Sequence, residues 1–172
     1  FDISVDEAGE MVSYRRIARN EEGSNKWYYF VRIKPGGEPR YNYQSYVDTL
    51  SKDAIDRFIQ ITYEAFKEAV GEEFGKTVPA IFTDEPQLIL PQMLQNGHSD
   101  KDALLPWTWD FSKTYRDTYD SDICDHLPEL FFAMHGDEGK RTRYRYYRHT
   151  MERFAGAYMD NLGKWCGRNH IM

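Results

Sequence analysis

Cysteine is scarce in this sequence, with Cys124 and Cys166 the two present. They have neither the C-x-x-C spacing nor a histidine partner at metal-like distance, so no zinc site and no disulfide framework is indicated. The redox compartment therefore stays open. Basic charge is also short, with 22 Lys and Arg against 28 Asp and Glu and a net charge of −6. Phosphate recognition needs a basic footprint over the domain, which excludes nucleic acid as the main partner. No apolar run approaches the roughly 20 residues that span a bilayer, so no membrane partner is expected. The first residues read as strand rather than as a signal peptide. Repeats and low-complexity segments are absent. Nothing in these features calls for a cofactor or a metal, and they leave a cytoplasmic or a secreted location equally open.

What the sequence does have is the makings of a core. Its 172 residues, 41% hydrophobic and 29% charged, suit one globular domain rather than a disordered chain. Aromatic content is high at 16%, including 13 tyrosines and four tryptophans, and such side chains supply stacking surfaces as well as core volume. Phe1 opens directly in strand-like sequence, and Ile171-Met172 reads as the start of a new apolar segment. The sequence is accordingly expected to be a window within a longer polypeptide.

Taken in order, residues 1–34 predict an antiparallel meander. Asp2 to Val5 alternates, Asp6 to Glu10 supplies a turn, Met11 to Ala18 returns, and Trp27 to Ile33 forms a third strand ended by Lys34-Pro35-Gly36-Gly37. A loop rich in tyrosines follows, with Tyr41, Tyr43 and Tyr46. Ser51 then caps a helix over about 52–69, with Ile55, Phe58, Ile59, Thr62 and Phe66 on its apolar face. The long stretch from Gln87 to Leu105 is expected to be a functional loop or lid. Thr108 or Asp110 starts a short helix through Tyr115, and another begins at His126 to Phe132 with Pro128 in its first turn. A last helix, about 140–166, carries Tyr144, Tyr147, Met151, Phe154, Tyr158, Leu162 and Trp165 at helical spacing. Its basic residues Lys140, Arg141, Arg143, Arg145 and Arg148 read as a solvated face or as salt links within an acidic domain.

At the centre of the chain, Val78-Pro79-Ala80-Ile81-Phe82 is apolar without alternation. That is how a strand reads when both of its faces are buried, as in a parallel sheet covered by helices. The run stops at Asp84 and Glu85, and Pro86 ends it because proline has no N–H for a ladder. Parallel α/β folds place ligands outside the carboxyl ends of their strands, so the two carboxylates stand where such a fold does its chemistry. The same pair also suits a plainer role, capping a helix or facing solvent.

The order Tyr46-Val47-Asp48-Thr49-Leu50, then the helix with Phe58 and Thr62, then Phe74-Gly75-Lys76-Thr77-Val78-Pro79-Ala80-Ile81-Phe82-Thr83-Asp84-Glu85-Pro86 resembles a group of bacterial (β/α)8-barrel glycoside hydrolases, related in architecture to α-L-rhamnosidase-like enzymes. Leu105-Pro106-Trp107-Thr108, Asp125 to Phe131 and Trp165-Cys166 look like the same group. The resemblance implies one partial domain over 1–172: an inserted β-meander over 1–37 and a TIM-barrel segment over 38–172. In isolation this piece would look α+β and would tend to self-associate. The implied activity is hydrolysis of a glycosidic bond in an oligosaccharide or glycoside. Glu85 is then the general acid, and Asp84, Asp48, Tyr46 and Trp107 are substrate contacts. Two positions depart from the pattern: Tyr63 stands where His is expected, and Tyr119-Asp120-Ser121 where Tyr-Gly-Tyr is usual. Glycosidases use two carboxyl groups flanking the bond. Adjacent strand residues point to opposite faces, so Asp84 is not expected to be the partner of Glu85, and the second carboxylate is expected beyond Met172. The rival expectation is a non-catalytic carbohydrate-binding or interaction domain.

Overall fold

Two periodicities shape the chain, alternation in its first residues and helical spacing after Ser51. In the computed structural model, which describes residues 1–31, 39, 42–88, 91, 94, 96–137 and 139–172, they produce a mixed α+β protein. The elements are β1 (Asp2–Val5), β2 (Met11–Arg15), α1 (Lys52–Phe58), α2 (Ala65–Val70), α3 (Phe111–Tyr119), α4 (Leu127–Phe131), α5 (Lys140–Phe154) and α6 (Asp160–Arg168). Two compact units divide the chain. One comprises Phe1–Arg32 and Ile89–His149, the other Ile33–Leu88 and Thr150–Met172.

In the first unit β1 and β2 pair antiparallel, with Ile3 opposite Tyr14 and Val5 opposite Met11. The register shifts between Ser4 and Val5, so Val12 is the extra residue of a bulge. The bulge puts Met11 on the same inner face as Ile3, and both are fully buried, while Val12 is exposed. Among the described residues, which reach Val31, the expected third strand does not form. Lys26 makes one bridge to Asp2, Trp27 N–H donates to Phe1 O, and pairing stops there. Side chains beyond it still alternate: Trp27 packs edge-on against Phe132 and Tyr29 against Phe1, while Tyr28 and Phe30 face out. The apolar alternation is met by packing alone, without a ladder. Of the Lys34 to Gly37 turn and of Tyr41, both lie outside the described residues, as do 89, 90, 92, 93 and 95 of the expected lid. A second core gathers Phe111 and Tyr115 of α3, Ile123, Leu130 of α4 and Tyr146 of α5.

In the second unit Ser51 caps α1, its Oγ accepting the Ala54 N–H at 3.3 Å, with Asp53 in the first turn where a negative charge suits the helix dipole. A π-helical turn, Ile59–Glu64, joins α1 to α2. A turn wider than 3.6 residues shifts the inward face, so Ile55, Ile59 and Tyr63 are buried while Thr62 and Phe66 are exposed. A similar turn, Ala155–Met159, joins α5 to α6. Phe154, Tyr158, Leu162 and Trp165 pack on the α1 face as their spacing predicts. Tyr144, Tyr147 and Met151 are exposed instead; the inward face of α5 carries Tyr146, His149 and Thr150. Two of those three are polar, which is why an apolar stripe points one residue aside.

The strand expected over Val78–Phe82, buried on both faces, is not built. Phe74 and Val78 form one bridge, and Pro79, Ala80 and Phe82 are exposed, Phe82 to 87%. What remains of a ladder is a pair of bonds to one residue: Ile81 N–H donates to Met172 O at 2.8 Å, and Met172 N–H donates to Pro79 O at 3.0 Å. Bonds from one residue to the two flanking a single partner are the pattern of parallel strands. Among the described residues, 171–172 supply the one neighbour alongside, and no helix covers Phe82.

Candidate active site

The second unit holds a recess of about 390 Å³ lined by Tyr46, Val47, Phe58, Thr83, Asp84, Glu85, Gln87 and Tyr158. Three of the sequence-predicted residues, Tyr46, Asp84 and Glu85, are thus brought together. Both carboxylates line it, contrary to the alternation argument. Among the described residues, 83–88 have no ladder partner and are not a strand, so side chains there are not forced to opposite faces.

The segment carrying them is held at its two ends. At one end the Thr83 Oγ lies 2.5 Å from the Tyr158 hydroxyl, which belongs to a buried residue of the π turn. At the other, Gln87 N–H donates to the Tyr46 hydroxyl at 3.1 Å and the buried Thr49 Oγ donates to Gln87 O at 3.3 Å. Between the anchors Asp84 turns back on the chain, its Oδ1 accepting the Glu85 N–H at 2.9 Å. Asp84 and Glu85 are both exposed. Among the described residues the Glu85 carboxylate has no hydrogen-bond or ion-pair partner, so it faces the recess unencumbered. Tyr63, the residue standing where His is expected, lies in the core with its ring 5.5 Å from Phe58 and 5.2 Å from Trp165. Burial raises its phenol pKa; the neighbouring Tyr158 and Cys166 add to this, and a hydrogen bond with Thr83 opposes it.

Asp48 and Trp107 are not among the lining residues. Asp48 Oδ1 accepts the Leu50 N–H at 3.0 Å and its carbonyl accepts from Ser51, a turn that launches α1. Trp107 belongs to the first unit, half-buried with its ring 4.6 Å from Phe111. Sequence reasoning missed Val47, Thr83 and Gln87 as lining residues, and it placed Phe58 and Tyr158 in the core without their second role. Helical periodicity identifies the inward face of a helix but not which of its residues meets a loop end.

The first unit has a recess of its own, of about 650 Å³, lined by Tyr14, His126, Glu129, Met134, Asp137, Gly139, Arg141 and Thr142. Glu129 Oε1 accepts from the Tyr14 hydroxyl at 2.6 Å and lies 2.8 Å from His126 Nδ1. Burial pushes the Glu129 carboxyl pKa up, but hydrogen bonds from Thr142, Tyr14 and His126 more than offset it and leave it below the ordinary value. A carboxylate only accepts, so the His126 tautomer that can donate to Glu129 is the one with its N–H at Nδ1. Burial and the bond to Glu129 raise the Tyr14 phenol pKa well above the usual range. Nearby residues of the basic run have intrachain partners. Arg143 Nη1 donates to the carbonyls of Glu129 and Phe132, and the Arg145 guanidinium sits 5.3 Å from the Tyr119 ring centre.

Comparison of the chain with known protein families, with curated proteins and with solved structures found no match in any of the three.

Proposed function

We propose that the chain is part of the catalytic domain of a glycoside hydrolase on a (β/α)8 barrel, with Glu85 as general acid. One observation carries the reading: an unpartnered carboxylate stands on a recess just past an apolar segment that bonds to residue 172 in the parallel sense. That is where parallel α/β folds keep their chemistry. On this reading Asp84 orients the Glu85 backbone, Tyr46 and Tyr158 hold the two ends of the segment, and the exposed Tyr46 offers ring surface to a sugar. The conformation at Asp120 is a second support. Its φ of 50° and ψ of 40° are left-handed, which the glycine usual in the resembled pattern adopts without strain. A closed barrel takes about 250 residues, so the second carboxylate belongs to polypeptide outside these 172.

The second reading is a non-catalytic sugar-binding domain, and the exposure of Asp84 and Glu85 beside Tyr46 favours it. Glu85→Gln in the polypeptide that completes the barrel separates the two. Acid catalysis contributes at least roughly 100-fold, so turnover of a glycoside with a poor leaving group should fall by that factor, and by less when the leaving group needs no protonation. Stability should barely change, since Gln is nearly isosteric at an exposed site. Wild-type turnover in the variant, or sugar binding with no turnover in either protein, would instead leave the binding reading.

A further inference from the structure

We propose that Asp6, Glu10 and His135 form a binding site for a divalent transition-metal ion of the zinc class. The three side chains lie far from the recess that carries the glycosidase reading in sequence, and the proposal does not depend on that reading. His135 Nε2 is 2.9 Å from Asp6 Oδ2 and His135 Nδ1 is 2.9 Å from Glu10 Oε2. The ligand atoms offered by the three residues all lie within 4.8 Å of one another.

The backbone under this cluster is braced from several directions. Asp6 and Glu10 flank the β1–β2 turn, which is closed by Asp6 N–H to Glu10 O at 2.9 Å and Gly9 N–H to Asp6 O at 3.0 Å. His135 follows Met134, which bridges to Met11 in the parallel sense, and Met11 N–H donates to Ala133 O at 2.7 Å. From the other side, Gly97 N–H bonds to Gly9 O and Asn96 Nδ2 to Ala8 O. The approach is close enough that a Cβ on Gly9 would meet Asn96 at 2.2 Å. Donors mounted in this way need little reorganisation to take an ion.

Charge and donor chemistry then decide what fits. Among the described residues neither Asp6 nor Glu10 has a Lys or Arg partner, so one imidazole faces two carboxylates. A divalent ion with a neutral imidazole balances both. A nitrogen donor beside carboxylate oxygen suits zinc and its neighbours better than calcium or magnesium, which take oxygen ligands. The geometry assigns the roles. The ion takes the place of the proton on Nε2, which passes to solvent, and is bound by Nε2 and Asp6 Oδ2 with water completing its shell. Glu10 keeps the Nδ1–H bond, as a carboxylate behind a metal-bound histidine does.

The test is titration of the whole chain with Zn2+, read calorimetrically and by the imidazole nitrogen resonances, which separate His135 from the other four histidines. One equivalent should bind with a shift at His135 Nε2. His135→Gln should abolish that event, and Glu10→Gln should weaken it roughly 10- to 100-fold, the usual worth of an outer-shell carboxylate. His135 is exposed, so its variant should fold; Asp6→Asn, which keeps the acceptor for the Glu10 N–H, should also remove binding and serves if it does not. Zn2+ in excess that leaves His135 unmoved, or binding unchanged in these variants, would mean that the cluster is an imidazolium held by two carboxylates and would overturn the proposal.

Discussion

At the scale of single residues, the clearest electrostatic device is Glu129. Its carboxylate sits under Tyr14, His126 and Thr142, and the net effect is a pKa below the ordinary glutamate value of 4.5. A carboxyl depressed in the folded state stabilises the fold at pH above its unfolded value. That contribution is lost as the pH falls from about 4.5 through the folded value. Glu129→Gln keeps the size but replaces an acceptor-only group with one that also donates, so at least one hydrogen bond fails. Hydrogen bonds to a charged group are worth about 1.5 to 3 kcal/mol each. The variant should therefore lose about that much stability at neutral pH in urea unfolding. The difference from wild type should narrow progressively as the pH falls from about 4.5 through the lower folded value, because the folded wild-type carboxyl takes up its proton only over that range. A constant difference from neutral pH to strong acid would show that Glu129 acts through packing rather than charge. None of this was legible in the sequence, because Tyr14 is 115 residues from Glu129 and no local period links them.

At the scale of elements, the helices and the first hairpin, β1 with β2, were legible, and the two later strand-like segments were not. A helix satisfies its own backbone, so Ser51, the apolar spacing after it and Gly71 mark α1 and α2 using local information alone. Ser51 is a clean test of that logic. Its Oγ serves one free N–H of the first turn, and Ser51→Ala should cost about 1 kcal/mol in thermal or urea unfolding. Loss of less than a few tenths would mean that the hairpin-like turn from Asp48 holds the helix start without the cap. Phase along a helix was harder to read. The π turns at Ile59–Glu64 and Ala155–Met159 shift the inward face, and no sequence signal distinguishes them from ordinary turns. Strands fared worse for a different reason: a strand is completed only by its neighbours. Trp27 to Val31 and Val78 to Phe82 both have strand-like composition, yet each finds one bridge or one bonded residue among the described residues. The site followed the same division. Asp84 and Glu85 drew attention because a carboxylate pair after an apolar run carries a chemical meaning, and Tyr46 through the resemblance, whereas Gln87 and Thr83 join the recess through hydrogen bonds across the fold.

At the scale of the whole molecule, the segment from Pro79 to Phe82 is where the chain is expected to meet a second copy. Ile81 N–H and Pro79 O are bonded to Met172, but among the described residues no hydrogen bond reaches the N–H of Ala80 or Phe82. An apolar segment with one free edge is a template for pairing with another chain unless a charge or a bulge blocks it. Nothing of that kind protects it here, since Ala80 and Phe82 are exposed and the acidic residues begin only at Asp84. The 172-residue chain is therefore expected to self-associate through this edge, with a concentration-dependent sedimentation coefficient. Net charge of −6 opposes association, so added salt should strengthen it. Burying one phenylalanine side chain is worth about 1.5 to 3 kcal/mol, which corresponds to roughly a ten- to hundredfold change in dissociation constant. Phe82→Asp should weaken association by at least that factor while leaving the helical circular dichroism intact, because Phe82 is 87% exposed and supports no core. A wild-type chain that sediments as a strict monomer at high concentration would refute the association, and a Phe82→Asp variant that associates as strongly as the parent would place the contact elsewhere.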